Sequence, residues 1–233
     1  MGEKRDGRRW YDDACGTAHA LELVGERWSL LIVRELMFGP RRFGELRAAL
    51  TGISANVLTQ RLEGLEAAGI LARRRLPPPA SVQAYELTPW GYESETAIQE
   101  LGRWAVRSPD HDPSLPLSAA SLMLSFRTMV DRTRSGERPM TVGFRLGPEV
   151  FTARIDTEGI AVRRDASEAV EATFSGEPRG IAAVVYNGMP LAEAEAMGML
   201  EVAGDRDLAE RFATLFPLPP KSGGSGSPTE RDS

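Results

Sequence analysis

Ser54, Asn56, Thr59 and Gln60 open an amphipathic run whose apolar members are Val57, Leu58, Leu62 and Leu65. A helix gathers those apolar residues on one face and leaves the amides and hydroxyls on the outward side of its first turns. An Asn or Gln amide donates and accepts at once, as an adenine edge requires, and a helix N-terminus favours phosphate. Arg61 on the flank suits guanine or the backbone. A solvated polar face is the plainer reading of such a helix taken alone. Arg42 ahead of it, and Arg73, Arg75, Ser81 and Gln83 behind it, are further candidate contacts. Arg73, Arg74 and Arg75 fall on a strand, so Arg74 points away from its neighbours. A charged strand edge that resists pairing is the structural alternative.

Other chemistry is sparse. Cys15 is the single cysteine, which excludes an internal disulfide and fits a reducing cytoplasm. Asp12 and Asp13 would raise its thiol pKa, whereas Arg8, Arg9 or a helix N-terminus would lower it. With only His19 and His111 beside it, no zinc site of usual composition is expected, nor any cofactor. There is no Gly-rich phosphate loop and no nucleophile elbow, so an enzyme is not expected.

The elements that must position these groups follow from periodicity and breakers. A polar arm over residues 1–13 precedes a helix from about Ala14 to Gly25. An apolar stripe of Trp28, Leu31, Ile32, Glu35 and Leu36 stops at Gly39 and Pro40, and a short run of Phe43, Leu46 and Leu50 ends at Gly52. Ser54 caps the next helix, which ends at Gly69. Residues 71–76 and 83–88 form a two-stranded ribbon around a proline corner. Three short helices followed by such a ribbon make a winged helix-turn-helix. Pro89 starts a further helix with a stripe of Ile98, Leu101, Trp104 and Ala105.

The formal charge of −5 over 233 residues conceals an uneven distribution. Seven arginines (Arg41, Arg42, Arg47, Arg61, Arg73, Arg74, Arg75) face three glutamates (Glu45, Glu63, Glu66) between residues 41 and 75. One region can therefore meet phosphates while the remainder keeps the molecule soluble. No apolar run reaches the roughly 18–20 residues of a membrane span, and the charged N-terminus carries no secretory segment. A cytoplasmic protein without membrane contact is expected.

Residues 108–116 are linker in composition, and the pattern beyond them changes. After an amphipathic helix from Leu117 to Val130, period-two alternation marks strands around 141–146, 151–156, 160–163 and 170–175. Helical patterns return at 178–186 and 191–197, residues 200–203 suit a fifth strand, and Asp205 caps a last helix. The expected class is α+β throughout, with a second domain at 117–216 built on a mainly antiparallel sheet covered by helices. The tail, 217–233, has linker composition and is expected to lack fixed structure. Phe144, Phe151, Phe174, Val185, Tyr186, Met189, Met197 and Met199 are candidate linings for an apolar ligand, and equally candidates for plain core. Arg145 or Arg154 would anchor a ligand carboxylate.

Two resemblances extend this reading. Residues 15–28 (CGTAHALELVGERW), 31–36 (LIVREL), 39–46 (GPRRFGEL), 52–54 (GIS), 58–62 (LTQRL) and 85–88 (YELT) resemble the HxlR-type winged-helix regulators over about residues 14–107. That resemblance implies a homodimeric bacterial transcription factor on double-stranded operator DNA, with the domain's first and last helices at the dimer interface. It places the recognition helix on Ser54–Gly64 and the wing on about Leu76–Gln83. Some relatives sense oxidants through the cysteine that corresponds to Cys15. Gly16 and Ala84 depart from the family's usual proline and acidic residue. The second half, by element order and its 190–205 segment (PLAEAEAMGMLEVAGD), resembles a sterol-carrier-protein-type-2-like domain, which implies an apolar tunnel. The resulting expectation is a regulator controlled by an apolar or amphipathic effector. Its alternatives are a thiol switch at Cys15 and a lipid carrier or interaction module.

Overall fold

The computed structural model describes residues 11–77, 82–136, 138–165 and 169–223. The chain divides into two compact units, Met1–Glu95 and Thr96–Ser233.

In the first unit, α1 (Gly16–Val24), α2 (Ser29–Leu36), α3 (Phe43–Ala49) and α4 (Ala55–Ala67) precede a hairpin of β1 (Leu71–Arg75) and β2 (Gln83–Leu87), and α5 (Pro89–Glu93) closes it. Local chemistry sets the boundaries. The Ser54 hydroxyl accepts from the Val57 N–H at 3.3 Å, and the Thr88 hydroxyl caps α5 by accepting from Gly91 at 3.0 Å. Glu45 accepts from the Arg42 N–H at 2.8 Å, so α3 is capped from its third residue backwards. Ile32, Val33, Leu36, Leu46, Leu58, Leu62 and Leu65 are fully or nearly fully buried and form one core. β1 and β2 pair antiparallel with Arg73 opposite Tyr85. Arg41 adds a third, one-residue rung, exchanging both backbone hydrogen bonds with Tyr85 at 2.9 and 2.8 Å.

Three expectations change here. Trp28 lies ahead of α2 in the left-handed region (φ 82°), not within its stripe, and Leu31 is exposed. The helix expected to run on from Pro89 is broken at Ser94, where the backbone tightens and the Ser94 N–H reaches the Gly91 carbonyl, three residues back, at 3.3 Å. Its continuation, α6 (Glu95–Ala105), groups with the second unit.

The second unit continues with α7 (Ala119–Met129), α8 (Arg132–Ser135), β3 (Met140–Leu146), β4 (Glu149–Asp156), β5 (Gly159–Arg163), β6 (Ala172–Gly176), α9 (Pro178–Asn187), α10 (Leu191–Ala196), β7 (Leu200–Gly204) and α11 (Arg206–Ala213). The strands form one sheet in the order β5-β4-β3-β6-β7. All pairs are antiparallel except β3 with β6. Both halves are thus α+β, as the periodicity implies. Alternate residues Val142, Phe144 and Leu146 of β3 point into a core where the rings of Phe126, Phe144, Phe174, Phe212 and Phe216 meet. Their centroids lie 4.6 Å (Phe126–Phe216), 5.3 Å (Phe126–Phe212) and 5.6 Å (Phe144–Phe174) apart, within the range of favourable ring contact.

The first part of the tail is also held. Lys221 Nζ donates to the carbonyls of Val106, Ser108 and His111 at 3.1, 2.9 and 3.3 Å, and the Ser222 N–H reaches the Arg107 carbonyl at 2.6 Å. An ammonium ion thus gathers three carbonyls of the turn that follows α6. Part of a tail expected to lack fixed structure is thus hydrogen-bonded at Pro220, Lys221 and Ser222, while residues 224–233 lie outside the described ones.

Candidate nucleic-acid interface

α4 buries Leu58, Leu62 and Leu65, and that choice of face determines everything else about it. Ser54, Asn56, Thr59 and Gln60 are all exposed, as is Glu63 one turn further on. Residues three and four apart share a helix face, so Asn56, Thr59, Gln60 and Glu63 form one outward row. The neutral amides and hydroxyls occupy its N-terminal part, where the helix dipole assists an approaching phosphate. Glu63 repels phosphate but can accept from a cytosine amine.

The arginines divide into engaged and open. Arg41 is buried, its Nη1 donating to Glu35 Oε2 at 2.9 Å, while Arg34 donates to Glu35 Oε1 from Nη2 and Nε at 2.8 and 3.1 Å. Glu35 is completely buried, so this cluster ties α2 to the loop ahead of α3 inside the core. Arg73 pairs with Glu66 at 3.0 Å and Arg74 with Glu86 at 2.5 Å. Arg61 pairs with Glu26 at 2.9 Å and donates from Nε to the Arg27 carbonyl at 3.1 Å. Arg42 keeps only a 3.9 Å approach to Glu45, and exposed Arg47 and Arg75 have no ion pair among the described residues. Among the described residues, Arg47 and Arg75 are thus open to phosphates, and Arg42 is held only loosely.

The other candidates are placed as follows. Gln83 is exposed on β2, its amide 3.4 Å from the Tyr85 hydroxyl. Ser81 lies outside the described residues, as do Arg8 and Arg9. Cys15 is exposed at the N-cap position of α1, and hydrogen bonds from Thr17 and Ala18 hold its thiol below the ordinary value. In the second unit, Phe144 and Phe174 stack within the ring cluster, and Phe151 lies under the Arg164 guanidinium at 5.2 Å. Val185 is buried, Met189 and Met199 are half-buried and Met197 is exposed. Tyr186 shares a 2.6 Å hydrogen bond with Ser125, and burial pushes its hydroxyl pKa upward. Arg145 and Arg154 are exposed. A cleft of about 270 Å³ lies elsewhere, lined by Arg138, Met140, Asp205, Asp207, Leu208 and Arg211 with Pro139. It shares no residue with the eight candidate linings.

No helix among the described residues is long and apolar enough to cross a membrane, and no cluster of His, Cys, Asp or Glu suited to a metal occurs among them.

Comparison with known proteins bears on the first half of the chain. The profile of the HxlR-like helix-turn-helix matches residues 23–112. The HTH-type transcriptional regulator YvaP of Bacillus subtilis (strain 168) is 36% identical over 86 residues, covering 37% of this chain and 80% of that protein. The regulator YodB of the same organism is 38% identical over 86 residues, covering 37% of this chain and 77% of its own length. The solved reduced form of YodB from B. subtilis is 34% identical over 43% of this chain and all of that chain, with a TM-score of 0.38.

Proposed function

The chain belongs to the HxlR-like helix-turn-helix family of DNA-binding transcriptional regulators, and from that premise we propose that it grips an operator as a homodimer whose second unit receives a small-molecule signal. The observation that carries the DNA-reading part is the exposed row Asn56, Thr59 and Gln60 on a Ser54-capped helix. Asn56 and Gln60 supply base-edge contacts, Ser54 and the helix N-terminus supply a phosphate seat, and Arg42 and Arg75 flank them. Exposed Gln83, at the start of β2, adds a further contact to the interface.

Dimerisation is supported by apolar side chains that the single chain leaves uncovered. Leu101 and Trp104 on α6 are 49% and 73% exposed, and Leu21 on α1 is 49% exposed. A tryptophan anchor of this kind is the usual energetic centre of an interface. Control through the second unit is supported by its resemblance to sterol-carrier-like domains, in which helices cover one face of a sheet of this kind. There we assign contact with an apolar or amphipathic effector to the half-buried Tyr186, Met189 and Met199, and leave Phe144 and Phe174 to the core. Such a ligand shifts operator affinity to the extent that it favours one dimer geometry over the other. A second reading, a thiol switch at Cys15, is favoured by that residue's exposure and its acidified thiol.

Selection of duplexes from a randomised pool tests the first part. One enriched sequence, lost on Gln60→Ala, supports it, and uniform recovery of every duplex refutes it. Native mass spectrometry of gently purified protein tests the second part, because a copurified apolar mass is expected and its absence counts against the effector. A Cys15→Ser variant that keeps the parent's response to oxidant eliminates the thiol switch.

A further inference from the structure

Arg61 leaves α4 beside Gln60, yet its guanidinium turns to the corner between α1 and α2. Nε donates to the Arg27 carbonyl at 3.1 Å, and Nη2 meets Glu26 Oε2 at 2.9 Å. Two donors on one planar fork thus hold two consecutive residues of that corner, a grip that lysine, with a single compact ammonium, does not reproduce. The side chain is only 25% exposed, whereas its Glu26 partner is 68% exposed. An ion pair so open to water contributes little by itself, so the carbonyl bond is the significant contact.

The carbonyl it holds belongs to the Arg27–Trp28 peptide, and the next residue, Trp28, has φ of 82°. A bulky side chain with φ in this region is strained and persists only where its surroundings over-determine it. Rotation of the Arg27–Trp28 peptide plane is the motion that would relieve φ of Trp28, and the Arg61 bond opposes it. Other contacts lock the same corner. The Ser29 N–H reaches the Glu26 carbonyl at 3.0 Å, and the Arg27 guanidinium lies 5.4 Å from the Trp28 ring centre. Gly25 admits no side chain, since a Cβ there would come within 2.2 Å of the Leu21 carbonyl oxygen.

We infer that Arg61 is a positioning residue. It braces the recognition helix against the strained α1–α2 corner and so sets the angle at which Asn56, Thr59 and Gln60 are presented, without reading a base itself. This rests on the operator-binding reading above and deepens it.

The test uses full-length protein and the duplex that the wild type enriches from a randomised pool. Arg61→Ala is expected to weaken binding about tenfold, on the scale of one strained non-glycine residue. It should weaken every single-base variant of that duplex by the same factor and leave the salt slope unchanged. Arg61→Lys should fail to restore affinity. In a Trp28→Gly background, where φ of 82° carries no strain, Arg61→Ala should cost markedly less than in the parent. Amide exchange at residues 28–32 should accelerate in Arg61→Ala alone, a readout independent of DNA. Relaxed preference at one base pair, a reduced salt slope, or equal losses in both backgrounds each overturns the inference. If the wild type enriches no duplex, the operator-binding reading fails instead, and the exchange measurement still judges the brace.

Discussion

The division of the arginines into paired and open ones makes a quantitative prediction about salt. Each phosphate neutralised by a protein cation releases counterions, so the logarithm of the binding constant falls against the logarithm of salt with a slope of about −0.9 per contact. Arg75 is exposed without an ion pair among the described residues, so it is available to a phosphate, whereas Arg74 is committed to Glu86 at 2.5 Å. Replacing Arg75 by Ala in both protomers of a dimer therefore reduces the slope by about 1.8. Between 50 and 200 mM salt, that change means the variant loses roughly twelvefold less affinity than the parent does over the same interval. Removing Arg74 and Glu86 together deletes a neutral pair and should leave the slope unchanged. Equilibrium binding of the selected duplex by fluorescence anisotropy at four salt concentrations measures both. The assignment is refuted if Arg75→Ala leaves the slope intact, or if the paired deletion lowers it as much as Arg75→Ala does.

Other consequences are separable. Glu35→Ala strands Arg41 in the core without its carboxylate and should cost about 3–5 kcal/mol of unfolding free energy, read by urea denaturation. Trp104→Glu puts a charge where an apolar anchor is exposed, and should weaken self-association by at least roughly thirtyfold in sedimentation equilibrium. The thiolate is the species that alkylates, and bonds from Thr17 and Ala18 stabilise it, so Cys15 should react half-maximally at a pH below that of a free thiol. Thr17→Pro removes both Thr17 donors, the N–H and the hydroxyl, while tolerating the first helical turn, and should move that midpoint upward. Lys221→Ala should accelerate amide exchange at Ser222, whose N–H the clip holds against Arg107.

Much of this was legible in the residue order because it is local. Ser54 and Asp205 cap the helices they were expected to cap, and alternation along residues 141–146 and 151–156 yields two neighbouring antiparallel strands. The outward row of α4 follows from the positions of Leu58, Leu62 and Leu65, because one buried stripe on a helix dictates the opposite face. The break at Ser94 was hidden, since a serine in mid-helix is common and carries no breaker signal, as Ser125 within the continuous α7 shows. The clip at Lys221 was hidden too, because its carbonyl partners lie over a hundred residues earlier.

The residue order by itself determined which groups exist and which helix and strand faces they occupy, because side-chain periodicity and end caps act over a few residues. Which cations stay open to a ligand was decided only by tertiary contact. Arg41, Arg61, Arg73 and Arg75 look alike along the chain. Folding brings Glu35, Glu26 and Glu66 against the first three and leaves the last in water, because an ion pair depends on distance in space and not on separation in sequence.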